Sequence, residues 1–268
     1  MQARIVPAAN GARWLVDGWR IFRAAPLAWL SIVIAYVLIT NVVALVPFVG
    51  VPAALVLVPP FSFGLMVAAR SAEQRRSIEP RMLFAGLRAG ARPQLLLGVA
   101  YMACSLLVYV AMVLADTDGS MRSLLSGQAK PEELDAADLL APVLVAAIVY
   151  TPVMMAFWFA PPLAGWQAMG PAKAAFFSVA ACWINWRPFL VYGAAATLVL
   201  VVAPFLLLLL ILLAAGGVLH VTAMGLVFPL LLVMLPTLFA SFYASYRDVF
   251  AETSGGRAQD GGAEPPAP

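Results

Sequence analysis

Apolar runs of about twenty residues alternate along this chain with shorter segments that hold nearly all of its charge. Each run is long enough to cross a bilayer as a helix, which pairs its backbone polar groups within the segment. The runs predict spans at about 27–46, 51–69, 94–115, 139–160, 189–213 and 223–246. Residues 11–24 alternate differently. Arg13, Asp17 and Arg20 fall on one helical face and Leu15, Trp19 and Phe22 on the other, the pattern of a helix lying at a membrane surface. Segments 79–89 and 171–186, each with a proline near its start (Pro80, Pro171), read as two more such helices. The predicted fold class is therefore all-α: a polytopic membrane protein of six transmembrane helices, arranged as three hairpins, each preceded by an interfacial amphipathic helix. Residues 1–250 form this domain. Residues 251–268 carry Gly, Pro, Ala and charge with nothing to bury, and read as a disordered tail.

The three units share details. Each surface helix ends in an arginine followed by a proline: Arg23 with Pro26, Arg92 with Pro93, Arg187 with Pro188. The second span of each unit holds a proline with a small residue four positions on: Pro60 and Gly64, Pro152 and Ala156, Pro236 and Ala240. Aromatic residues flank them, and self-similarity on one plan points to duplicated supersecondary units. The prolines bend their helices by removing a backbone donor. Two readings stay open: the kinks improve packing, or the three bent helices shape a groove for an apolar or amphipathic ligand.

Charge sets the orientation. Fourteen of the sixteen Lys and Arg residues fall in segments on one side of the predicted spans; Arg122 and Lys130 fall on the other, in the acidic loop 116–138. Basic residues remain on the cytoplasmic side during insertion, so both termini are expected in the cytoplasm of a bacterial inner membrane. Arg70, Arg75, Arg76, Arg81, Arg88 and Arg92 form a juxtamembrane belt that sets topology, offers contacts to anionic lipid head groups, or does both. The net charge of +3 is spread through these segments and gives no reason to expect a nucleic-acid partner.

Composition agrees: 63% of the residues are hydrophobic and 11% charged, far from the balance of soluble domains. Cys104 and Cys182 fall in an apolar run and on the cytoplasmic side, so no disulfide is expected. No catalytic constellation, metal-ligand cluster or cofactor motif is visible. The acids of loop 116–138 fit no EF-hand spacing, and His220 stands alone among the histidines. No acidic or basic residue lies inside a predicted span, which disfavours an ion-coupled carrier.

The segments Gly18-Trp19-Arg20-Ile21-Phe22, Ala175-Phe176-Phe177-Ser178 through Asn185-Trp186-Arg187-Pro188, and Tyr246-Arg247-Asp248-Val249-Phe250 carry a resemblance. They resemble a family of bacterial multi-pass inner-membrane proteins, distantly similar to YciC-like proteins and to the membrane domain fused to some glycerophosphodiester phosphodiesterases. The resemblance implies a six-helix inner-membrane protein and no activity, because the phosphodiesterase domain with its acidic metal site is absent from these residues. The leading expectation is a non-enzymatic protein that binds or helps handle lipids or another envelope amphiphile. A small-solute transporter or channel, and a scaffold for a membrane protein partner, are the alternatives.

Overall fold

A computed structural model describes residues 3–88, 91–130, 134–214 and 220–250; for 200, 207, 208, 211–214 and 220–232 it describes the backbone. The chain is helical, with no strand among the described residues. Its order is α1 (Asn10–Ala24), α2 (Pro26–Ala44), α3 (Gly50–Glu73), a 3₁₀ turn (Pro80–Phe84) running into α4 (Ala85–Arg88), and α5 (Ala91–Ala115). Then come α6 (Ser120–Leu125), α7 (Ala136–Trp158), α8 (Ala160–Trp166) and α9 (Pro171–Ile184). The chain closes with α10 (Trp186–Thr197), a π turn (Leu198–Val202), α11 (Ala203–Ala214) and α12 (His220–Val249).

Helices occupy all six predicted apolar intervals. Among the described residues, four are long and apolar enough to cross a membrane: α2, α3, α5, and α7 together with α8. The pair α9–α10, bent by 82°, adds a fifth if it is taken as one broken span. Their outward surfaces remain apolar: Leu106, Leu107, Leu144 and Ile148 are exposed, as lipid-facing residues are. In such a bundle apolar side chains gain little from leaving lipid, so close packing and internal hydrogen bonds hold the helices together.

That packing follows one rule at three places. The helix α1 lies along α12 and α10; the 80–88 segment lies along α3 and against α2; α9 lies along α7 and against α5. Each of these three segments brings a small residue to a longer helix near that helix's proline. A Cβ on Gly18 would sit 2.5 Å from the Thr237 carbonyl oxygen, and one on Gly86 would sit 2.6 Å from that of Pro60. Ser178 takes this place on α9. Its Oγ donates to the Met155 carbonyl at 2.6 Å and accepts from the Phe159 amide at 2.9 Å. The hydroxyl thus enters the backbone ladder where α7 gives way to α8, and a group inserted there accounts for the break.

The sequence reading needs several adjustments. The helix α1 is built into the bundle: it buries Gly11, Trp14, Gly18, Ile21 and Phe22, while Trp19, assigned to the apolar face, is 41% exposed. The fourth predicted span continues past Phe159 as α8. The acidic loop contains α6, organised by the buried Asp116 carboxylate. It accepts from the Met121 and Arg122 amides and from Arg122 Nε, each at 3.0 Å. Burial alone pushes the Asp116 carboxyl up, but these partners outweigh it and hold it below its ordinary value. The tail 251–268, Glu132, Glu133 and the connection through Gly216 and Gly217 lie outside the described residues.

Candidate functional site

A cavity of about 560 Å³, open on one side, lies between α7 and α10. Thr151, Met154 and Met155 form its α7 wall; Phe189, Leu190 and Gly193 form its α10 wall. The π turn contributes Val201 and α12 contributes Leu238 and Phe242. Its floor is an aromatic cluster. The Trp158 ring meets Phe189, Tyr192 and Phe242 with centroids 5.3, 5.6 and 4.4 Å apart, and Trp14 of α1 backs Phe189 at 5.2 Å. Hydrogen bonds fix this floor: Trp158 Nε1 donates to Ser245 Oγ at 3.1 Å, and Tyr192 Oη lies 2.7 Å from Ser241 Oγ.

Of the three hydroxyls among the described residues at the cleft, on Thr151, Tyr192 and Thr197, the first two turn inward. Ser241 Oγ already donates to the Leu238 carbonyl, so the Tyr192 hydroxyl donates to Ser241. Thr151 Oγ1 donates to the Ala147 carbonyl of its own helix at 2.8 Å. A ligand here meets a largely apolar wall, and no cation is among the described lining residues. Trp186 lines the cleft, and the Arg187 guanidinium lies 5.4 Å from its ring centroid. Behind Met154, Trp158 and Phe242 lies a second cavity of about 230 Å³, walled by α3, α5 and α7. There the Tyr101 and Tyr150 hydroxyls are 3.3 Å apart.

The end of the bundle formed by α1 and the C-terminal turn of α12 is closed by two polar knots. Asp248 accepts from Arg4 Nη2 at 2.7 Å, Asn10 Nδ2 at 2.8 Å and Trp14 Nε1 at 3.0 Å. Burial pushes its carboxyl up; the bonds from Trp14, Asn10 and Arg4 overcome that and hold it below its ordinary value. Asn185, buried where α9 turns into α10, accepts from the Val6 amide at 2.9 Å and donates to the Arg4 carbonyl at 3.0 Å. In the second knot Arg247 pairs with Asp17 at 2.8 Å and with Glu73, which also accepts from the Tyr243 hydroxyl. These knots tie the N-terminal segment, α1, α3, α10 and α12 together beside the cleft floor.

The residues expected from the sequence lie elsewhere. Pro60, Gly64, Pro236 and Ala240 are buried, Ala156 is half-buried and Pro152 is exposed; none of the six lines the cleft or the second cavity. Pro60 and Gly64 meet Gly86 and Leu83 of the 80–88 segment. Of the arginine belt, Arg70 stacks over Trp166 at 5.3 Å and Arg81 pairs with Glu79. Arg75 borders a polar basin with Asp17, Arg20, Glu73 and Arg247. Arg76, Arg88 and Arg92 are exposed, and no belt arginine lines the cleft. The sequence did hold a signal for the cleft. Gly98 and Gly193 stand five residues after Pro93 and Pro188, yet only Gly98 is packed against a neighbouring span.

The chain is 33% identical over 258 residues to a probable inner membrane protein of Burkholderia thailandensis, an alignment covering 93% of this chain and 94% of that one. No protein-family model and no solved structure matches. At that identity and coverage the chain belongs to the family of this probable inner membrane protein.

Proposed function

We propose that this inner membrane protein is a non-enzymatic, six-span binder of lipids or related envelope amphiphiles, with both termini in the cytoplasm. The observation that carries the reading is the α7–α10 cleft: largely apolar walls, Thr151 and Tyr192 hydroxyls bonded within the protein, and Arg187 beside the lining residue Trp186. Concave, largely apolar sites of several hundred Å³ with few polar groups are where small ligands bind. Arg187 supports an anionic head group, since a cation near a membrane surface attracts one.

The six-span topology is supported by helices at all six apolar intervals. The stretch from Trp186 through the π turn to Ala214 is helical throughout, and α12 is 30 residues long. On this reading α9 lies at the surface like α1 and the 80–88 segment. The three hairpins are then arranged cyclically, each surface segment resting on the preceding hairpin. The arginine belt, away from the cleft, sets orientation and offers a separate, diffuse contact to anionic lipid.

Native mass spectrometry of gently extracted protein tests this. Wild type is expected to retain an anionic amphiphile in fixed ratio, Arg187→Gln to lose it, and the triple Arg75/Arg76/Arg81→Gln variant to keep it. A wild-type protein carrying only random bulk lipid overturns the function. Loss in the triple variant alone moves the head-group site to the belt.

A further inference from the structure

One close helix contact in this molecule has a counterpart that stands apart. Pro60 offers no N–H to the Val56 carbonyl, and Gly98 of α5 lies against that oxygen, where a Cβ would sit 2.0 Å away. Pro152 stands to Ile148 as Pro60 stands to Val56, and Gly193 stands to Pro188 as Gly98 stands to Pro93. The matching contact is therefore Gly193 of α10 on the Ile148 carbonyl of α7. Instead the cleft separates these helices. A Cβ on Gly193 would meet no described heavy atom within 4 Å, and Ile148 is 70% exposed.

We propose that the cleft takes a single aliphatic chain carried by an anionic head group, and that α7 and α10 otherwise close by bringing Gly193 onto the Ile148 carbonyl. The inference rests on the amphiphile reading above, and adds the class of ligand and what competes with it. The space is that of one helix–helix contact, which suits one chain. Of its three described lining hydroxyls, those on Thr151 and Tyr192 are used within the protein and only Thr197 adds a further one, so the occupant is apolar along most of its length. The guanidinium of Arg187, beside the lining residue Trp186, supplies the complement to a negative head. Closure has a physical basis in the Gly98 contact. A glycine lets backbones approach, and its Cα–H can meet a carbonyl that proline has deprived of its donor. The π turn at Leu198–Val202 contributes Val201 to the cleft, and π turns inside helices are frequent at functional sites; here it interrupts the α ladder between α10 and α11, where α10 can move against α11.

The test pairs Thr151→Cys on α7 with Leu190→Cys on α10, which line facing walls of the cleft and leave Gly193 in place, in a Cys104→Ala, Cys182→Ala background, with the protein delipidated and held in amphipol. Oxidation is expected to form the cross-link, palmitoyl lysophosphatidylglycerol to slow it about tenfold, and glycerol phosphate to leave it unchanged. No cross-link, or a rate indifferent to the lysolipid, overturns the proposal. Gly193→Val, which fills open space, is measured beside it by native mass spectrometry. It is expected to fold and to lose retained lipid by about tenfold. Undiminished retention by Gly193→Val removes the chain from the cleft while leaving the amphiphile function standing. A wild type that retains no lipid takes both down.

Discussion

Placing one methyl group at Gly98 or at Gly193 should give opposite results, although both glycines sit five residues after a proline at the head of an apolar run. At Gly98 the added Cβ would lie 2.0 Å from the Val56 carbonyl oxygen and 2.8 Å from its carbon, in backbone that cannot rotate away. Relief requires α5 to draw back from α3 by about 1 Å, and overpacking of this kind costs about 1–3 kcal/mol. Alanine returns up to about 1 kcal/mol through helix propensity, so a contact as close as 2.0 Å, at the upper end of that cost, leaves a net loss of about 2 kcal/mol. At Gly193 no described atom lies within 4 Å, so the propensity gain of about 0.5–1 kcal/mol stands alone. Unfolding of Gly98→Ala, Gly193→Ala and wild type in one mixed-micelle system, followed by tryptophan fluorescence, should rank them in the order Gly193→Ala, wild type, Gly98→Ala. Equal stability of Gly98→Ala and wild type, or a comparable loss at Gly193, would refute the assignment of one contact as closed and the other as open.

Other predictions concern the polar contacts. Asp248→Asn should destabilise the protein by about 1.5–3 kcal/mol, the worth of hydrogen bonds to a charged group, and should free the N-terminal segment to limited proteolysis. The folded carboxyl of Asp248 titrates below its ordinary value. Its contribution is therefore present above the unfolded value of about 3.9 and is lost as pH falls through the folded one, so stability measured downward from pH 5 should decline less steeply in Asp248→Asn. Ser178→Ala should cost about 1–3 kcal/mol in the same unfolding assay by leaving the Phe159 amide without its partner. Asp116→Asn should leave the spans intact and increase protease cleavage between residues 116 and 130, because α6 loses its organising carboxylate.

The helices were legible because lipid imposes a strong constraint: an apolar run in a bilayer must be helical, and six runs gave six helical intervals near the predicted boundaries. The cleft was not. Its lining of Met154, Phe189, Leu190 and Val201 has the same composition as lipid-facing surface, so hydropathy cannot distinguish a wall from an outer face. The kink prolines drew attention because their backbone effect is visible in sequence. In the structure Pro60 and Pro236 are buried near the contacts of the 80–88 segment and α1, and the opening falls where Gly193 lacks the partner that Gly98 has. Trp14 was similarly hidden: its burial depends on Asp248, 234 positions away, and no local pattern reveals such a pair.

The most direct measurement is photo-cross-linking in native-like bilayers with an anionic phospholipid bearing a photoreactive group midway along one acyl chain, with the labelled residues mapped by mass spectrometry. The account predicts label concentrated on Met154, Leu190, Gly193 and Val201, and reduced there by Gly193→Val. Label spread evenly over exposed positions such as Leu106, Leu107 and Leu144, with no excess at the cleft, would contradict it.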